Sequence, residues 1–149
     1  MLKDSLIEIF DRDLNKLKIE ISSYESESSL WLIEKDIKNS GGNLCLHLIG
    51  NLKQFIGNVI GKFDYTRNRD AEFGSKDVPK KDLVSEIEET KEIVIASLKK
   101  LNADDFEKIY PINVFNKEMT TGFFLISLAA HLNYHLGQIN YHRRIIGKN

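Results

Sequence analysis

The sequence contains almost no cysteine, since Cys45 is the only one in 149 residues. An intramolecular disulfide is therefore impossible, which excludes the small disulfide-stapled secreted folds and favours a reducing compartment. Long apolar runs are also missing: nowhere do eighteen apolar residues follow one another, and the N-terminal residues show no apolar signal-peptide core. We expect a cytosolic protein that does not span a membrane.

Charge of one sign is lacking as well. Lys and Arg number 21 against 22 Asp and Glu, for a formal net charge of -1. Without a basic excess, no overall field attracts nucleic acid or an anionic membrane. We therefore predict neither partner, and instead expect a small-molecule substrate and a single domain over residues 1–149.

Proline is scarce, with only Pro79 and Pro111 in the chain. Apolar residues recur at the 3.6-residue period of amphipathic helices. Four long helices are predicted, over about residues 3–22, from an Asn43 cap to about 61, from Pro79 to about 101, and from Thr120–Thr121 to about 146, where Gly147 acts as a stop. The predicted fold is an all-α four-helix bundle with a long first connection. Residues 102–120 are predicted to form an extended loop or a short hairpin.

Three of the four histidines lie in the segment "HLNYHLGQINYH". At about 100° per residue, His131, His135, Gln138 and His142 share a narrow stripe, so the rings are predicted to face inward. The residues that flank the stripe include Leu132, Leu136 and Ile139 on one side and Phe123, Tyr134 and Tyr141 on the other. Buried imidazoles need partners for two nitrogens each, and a shared cation supplies one. His131 and His135 are one turn apart and form a natural half-site, whereas His142 lies about 10 Å further along.

The segment "HLIGNLKQFIGN" places a second polar stripe on the second helix. His47, Asn51, Gln54 and Asn58 repeat the spacing of the histidine stripe, and two glycines beside them leave room for a close approach or a ligand. If the second and last helices pack side by side, His47 completes a three-histidine metal site. The alternative is a buried hydrogen-bonded network without an ion.

The segments "HLIGNLKQFI" and "HLNYHLGQI" together resemble the DinB-like superfamily of metal-dependent enzymes, over essentially the whole chain. "NSGGNLCLHLIGNLKQF" and "TRNRDAEF" are similar to a mostly uncharacterised branch. The resemblance implies a four-helix bundle and one divalent cation, most often nickel or zinc, bound by His47, His131 and His135. His142 matches no ligand of the family. Relatives that use bacillithiol or mycothiol imply a low-molecular-weight thiol as co-substrate, and dimers among relatives imply a homodimer.

Three imidazole ligands leave an ion with an open position, which is typical of catalytic sites. We expect a metal-dependent enzyme of the thiol S-transferase or hydrolase type, in which Asn51 and Gln138 orient a ligand ring or the substrate. No carboxylate base shares the two stripes, which weighs against hydrolysis. The 66–73 segment, with Arg67, Asp70 and Glu72, either contacts substrate or forms a salt-bridged cap on the bundle.

A non-enzymatic role is the alternative. In that case the ion staples the second and last helices together, and an apolar face mediates dimer formation. Cys45 and Trp31 are predicted to be packing residues in either case.

Overall fold

Residues 1–146 are described in this computed structural model, and they are all-helical. Five helices form this part of the chain: α1 (Leu2–Ser22), α2 (Gly41–Leu52), α3 (Arg69–Gly74), α4 (Lys80–Lys99) and α5 (Thr121–Ile145). The four long ones are those predicted from the apolar period, and the short α3 was not predicted. The proposed stop at Gly147 lies outside the described residues.

The four long helices pack as a bundle, in which α1 and α2 each contact both α4 and α5. Their apolar faces form one continuous core, as the period predicted. Its fully buried members come from all four helices and include Phe10, Leu14, Leu17, Leu48, Leu52, Leu83, Ile87, Val94, Leu98, Leu125, Leu132 and Ile139. Within residues 1–146, no helix combines the length and the apolar character that crossing a bilayer requires.

Helix caps confirm the start of α5 and correct the start of α2. The Thr120 side chain accepts a hydrogen bond from the Phe123 N–H, so Thr120 is the predicted N-cap of α5. Asn43 is not the N-cap of α2; Ser40 is, because its Oγ accepts from the Asn43 N–H. Pro79 was predicted to lie in the first turn of α4, but it is the N-cap, one residue before the helix begins.

The two long connections, residues 23–40 and 102–120, each contain a short 3-10 turn. Residues 23–40 contain a 3-10 turn, Ser28–Trp31, and Trp31 packs against Gly42 as the predicted anchor. Residues 102–120 contain a second 3-10 turn and one antiparallel bridge between Ile109 and Thr120. The predicted hairpin is thus reduced to a single bridge, and no strand occurs among the residues described.

α2 continues directly into a π-helical segment, Lys53–Asn58. Backbone bonds there reach five residues back, as in Gly61 N–H to Ile56 O at 2.9 Å. The wider winding turns the chain away from the α-helical register, so the polar stripe predicted from His47 ends at Asn51. Asn58, which was predicted to continue it, donates instead to Phe63 O.

Candidate metal site

His47 on α2 and His131 and His135 on α5 converge at the interface of the two helices. Each offers one ring nitrogen, and the three nitrogens lie within 4.8 Å of one another. His131 Nε2 is 3.2 Å from His47 Nε2 and 3.1 Å from His135 Nε2. Nitrogens bound to one ion at about 2.0–2.1 Å are separated by about 3.0–3.4 Å, so this spacing fits a shared cation.

Hydrogen bonds on the far side of two rings set where their protons lie. His47 Nδ1–H donates to Glu72 Oε1 at 3.0 Å, and His135 Nδ1–H donates to Gln138 Oε1 at 2.7 Å. A neutral imidazole with its proton on Nδ1 has a free lone pair on Nε2. Both rings therefore direct a lone pair at the point where the three nitrogens converge, which is the arrangement that a metal ligand needs.

Burial favours the neutral form of two of the three rings, His47 and His131. It lowers the pKa of His47, although the Glu72 carboxylate acts in the opposite direction. Burial, together with His135, His47 and Arg67, lowers the pKa of His131 to about 4. Neutral imidazole is the ligating form, so at neutral pH these two rings have a lone pair available without first losing a proton.

Glu72 is the carboxylate that the sequence stripes did not contain. Arg67 donates from Nε to Glu72 Oε2 and from Nη2 to Oε1, both at 2.9 Å. This ion pair agrees with the salt-bridged interpretation of the 66–73 segment, but Glu72 lies against His47 and is only 5% exposed. Asp70, from the same segment, is exposed.

The close contact between α3 and α2 depends on two α2 residues. A Cβ atom at Gly50 would collide with Glu72 Oε2, so only glycine admits the carboxylate there. Asn43 Nδ2 donates to the carbonyl oxygens of Glu72 and Ser75 at 3.0 and 2.8 Å. The room predicted beside Gly50 is therefore used by Glu72. In the sequence, the signal for the contact between Glu72 and His47 was Gly50, which lies three residues after His47 on the same helix face.

The two polar residues predicted to support the site differ in their surroundings. Gln138 is exposed; it holds His135 and donates from Nε2 to Tyr134 OH at 3.3 Å. Asn51 is 7% exposed, and its Oδ1 has no hydrogen-bond partner among the described residues. Gln138 thus orients a histidine ring, whereas Asn51 has unused hydrogen-bonding capacity.

Two cavities border the histidine cluster. One of about 370 Å³ is lined by His47, His131, Asn51, Val114, Ser127, Leu128, the arginines Arg67 and Arg69, and the aromatic residues Phe55, Phe115 and Phe124. The other, of about 590 Å³, has His135, Gln138, Tyr134, Tyr141 and His142 in its wall. Both volumes are within the usual range of small-molecule sites, so ligands can approach the three nitrogens from two sides.

His142 does not join the cluster, as its distance along the helix predicted. Its Nε2–H donates to Leu32 O at 2.9 Å, and the Tyr24 hydroxyl donates to its Nδ1 at 2.6 Å. His142 therefore ties α5 to the first connection at two points, Tyr24 and Leu32. Tyr134 and Tyr141, placed beside the inward arc by the helical wheel, are instead 65% and 63% exposed.

Comparison with known proteins gives one family. The model described as "Protein of unknown function (DUF1572)" matches residues 5–149, and that family is grouped with the DinB/YfiT-like families. A search of curated proteins finds no match. The match agrees with the resemblance seen in the sequence, and it names no activity, substrate or ligand.

Proposed function

The chain belongs to the DUF1572 family, and we propose that it is a divalent-metal-dependent enzyme whose ion is bound by His47, His131 and His135. The observation that carries the proposal is the convergence of three Nε2 atoms at spacings of 3.1 and 3.2 Å. Imidazole nitrogens suit nickel and zinc, which are the ions that the resemblance favours.

The protein's own residues prepare the donor set. Glu72 accepts the Nδ1 proton of His47, and Gln138 accepts that of His135, so both rings are held in the ligating tautomer. Such an ion, when bound, stabilises the thiolate form of a thiol, lowers the pKa of water or polarises a carbonyl group. Two cavities border the cluster, one at His135 and one at His47 and His131, and each can hold a substrate beside it.

On the side of the 370 Å³ cavity, thiol transfer fits the residues better than hydrolysis. No Asp or Glu lines the 370 Å³ cavity, and Glu72 is already engaged by Arg67 and His47. A carboxylate base for water is thus missing from this side of the cluster, whereas a thiol ionises far more readily than water. In the reaction we propose, the thiol proton passes to solvent, sulfur bonds to a substrate carbon, and the leaving group departs with its bonding electrons.

Metal analysis tests the ligand set. After zinc or nickel reconstitution, the wild-type protein is expected to hold about one ion per chain, and His47→Gln and His131→Gln are expected to lose most of it. His142→Gln is the matched control, because it changes a histidine of the same helix outside the cluster. Equal metal content in all four proteins would place the ion elsewhere.

Activity measurements then separate the two reaction types. Zinc-loaded protein is mixed with bacillithiol or mycothiol and 1-chloro-2,4-dinitrobenzene, and thioether formation is followed. Ester hydrolysis is measured with p-nitrophenyl acetate. Thioether formation that disappears in His131→Gln supports transfer, whereas metal-dependent hydrolysis alone supports the hydrolase type.

One observation favours a second candidate, a metal-stabilised dimerising module without catalysis. Along α5, Phe123, Ile126, Tyr134, Tyr141 and Ile145 are each more than half exposed, which is unusual for an apolar set on one helix. If the ion is structural, chelation lowers the melting temperature by many degrees, and neither activity assay responds to metal. A metal-dependent rate in either assay would exclude this candidate.

The cytosolic location is part of the proposal. Cys45 is unpaired and fully buried, and burial raises the pKa of its thiol. A buried, unreactive thiol supports a packing role in a reducing compartment.

A further inference from the structure

We propose that the 370 Å³ cavity beside His47 and His131 binds the carboxylate group of a small organic acid, with Arg69 as its cationic partner. This inference rests on the proposed function, because it assigns a substrate class to the same site. Nothing in the family match specifies a substrate of this kind.

The charged side chains that line the cavity are of one sign. Its wall contains two arginines, two neutral histidines and no acidic side chain, and only Arg67 is paired with a carboxylate, that of Glu72 behind the wall. A divalent ion held by the histidines would add to this positive charge. An anion is attracted to this positive charge, whereas a neutral or cationic ligand would leave it without a counter-charge.

The two arginines differ in what they already bind. Arg67 is engaged by Glu72 through two hydrogen bonds. Arg69 makes no ion pair within residues 1–146; its guanidinium lies over the Phe73 ring, 5.4 Å from the centroid. The Phe73 ring is in turn 4.9 Å from the His47 ring, centroid to centroid. Arg69 thus offers a charged, exposed fork of donors close to the cluster.

Asn51 provides an independent sign of a ligand. Asn51 lines the same cavity and is 93% buried, and its Oδ1 has no hydrogen-bond partner among the described residues. Buried amides are normally paired, because an unpaired one costs its full desolvation energy. A half-turn of the amide exchanges its oxygen and nitrogen, which allows Nδ2 to donate to a carboxylate oxygen.

The remaining wall suits an apolar body on the acid. Phe55 and Phe115 both pack edge-on against Phe124. Their ring centroids lie 5.3 and 6.2 Å, respectively, from the centroid of Phe124. These three rings lie in the same cavity as Arg69 and Asn51. One planar guanidinium and one amide match the two oxygens of a carboxylate, so an aryl or alkyl carboxylic acid satisfies the whole wall.

The test compares phenylacetate with its neutral isostere phenylacetamide. Binding of each to metal-free and zinc-loaded protein is measured by heteronuclear NMR titration. Phenylacetate is expected to bind about tenfold more tightly, and Arg69→Gln is expected to remove most of that difference. Because Arg69 is exposed, its replacement is expected to leave the fold intact, which the same spectra report.

Arg144→Gln is the matched control. Arg144 is also exposed and lies over an aromatic ring, that of Tyr141, at 5.4 Å, but it does not line the 370 Å³ cavity. It is expected to keep the full preference for the carboxylate. Equal binding of the two probes, or an unchanged preference in Arg69→Gln, would overturn the subsite. Zinc content of the same samples reports the proposed function separately: full zinc with no carboxylate preference refutes only this inference.

Discussion

At the scale of single residues, two buried asparagines of α2 have opposite surroundings. The Asn43 side chain is hydrogen-bonded to Ser40, Glu72, Ser75 and Lys76, whereas Asn51 Oδ1 has no partner among the described residues. An unpaired buried amide lowers stability, and a protein retains such a group where function uses it.

Replacing each asparagine with leucine therefore gives opposite predictions. Asn51→Leu is expected to raise the free energy of unfolding by about 1 kcal/mol, because it removes an unsatisfied polar group. Asn43→Leu is expected to lower it by about 2–3 kcal/mol, since it strands several partners. Urea unfolding of the metal-free proteins measures both changes. A destabilised Asn51→Leu protein would show that this amide is satisfied in the folded state.

Protonation of His142 is expected to make the stability of the folded protein depend on pH. Burial lowers the pKa of His142, although the Leu32 carbonyl and Glu34 act in the opposite direction. The unfolded chain then binds a proton at this residue at higher pH than the folded chain does, so stability falls as the pH drops below about 6.5. One such group contributes a slope of at most about 1.4 kcal/mol per pH unit.

The measurement is the free energy of unfolding between pH 8 and 5 for the wild type and His142→Gln. The wild type is expected to lose more stability on acidification than the variant, because glutamine does not titrate. The other buried histidines titrate in both proteins, so the difference between the two curves isolates His142. Parallel curves would contradict the assignment.

At the scale of helices, the site depends on an element that the apolar period did not predict. α3 has six residues, too few to show a helical repeat, and its N-cap is Asn68, whose side chain accepts from the Ala71 N–H. The four long helices and the helix faces that carry the histidines could be predicted, because both follow from regular spacing. The convergence of His47 with His131 and His135 was predicted only on the condition that α2 and α5 pack side by side, as they do. The Glu72 contact could not be predicted, since it depends on how a loop folds back in three dimensions.

The π-helical segment shows the same limit. A regular 3.6-residue period placed Gln54 and Asn58 on the face of His47, but the wider winding after Leu52 breaks that register. Prediction by wheel also put Tyr134 and Tyr141 beside the inward arc. A helical wheel gives the angle between side chains, but it does not show how much of the α5 surface the neighbouring helices cover. Both tyrosines lie on the uncovered part and are therefore exposed.

Glu72→Gln tests what α3 contributes to the metal site. The amide keeps the shape of the side chain but weakens the acceptor for the His47 Nδ1–H, and metal affinity is expected to fall about 10- to 100-fold. The measurement is competition against a chelator of known affinity for zinc. Glu20→Gln is the control, since Glu20 also accepts from an arginine and an asparagine, Arg143 and Asn140, but contacts none of the three histidines. Equal affinities in both variants would assign Glu72 to folding alone.

At the scale of the whole molecule, the exposed apolar residues of α5 are arranged so that they can pair with a second copy. Phe123, Ile126, Ala130, Tyr134, Gly137, Tyr141 and Ile145 fall within an arc of about 100° along roughly 33 Å of helix. Small residues alternate with large ones: Ala130 lies between Ile126 and Tyr134, and Gly137 lies between Tyr134 and Tyr141. A Cβ atom at Gly137 would meet open space.

An antiparallel pair of α5 helices makes this pattern self-complementary. The twofold axis lies midway between Tyr134 and Gly137. Across it, each Tyr134 faces Gly137 of the second copy, and each Ala130 faces Tyr141 of the second copy. Large side chains then fill the gaps left by small ones, as in close helix packing, and one patch serves both copies, as twofold symmetry requires.

We therefore predict a homodimer in solution, with about twice the chain mass of 17.2 kDa in sedimentation equilibrium. Ala130→Glu is expected to shift the protein to monomer, because it places a charge and extra bulk against Tyr141 of the second copy while leaving the monomer fold unstrained at an exposed position. Ser85→Glu, an equally exposed change on α4, is expected to remain dimeric. A monomeric wild type, or a dimer that survives Ala130→Glu, would contradict pairing through this face. Zinc content measured alongside is expected to be the same in both variants, since each protomer carries all three of its histidines.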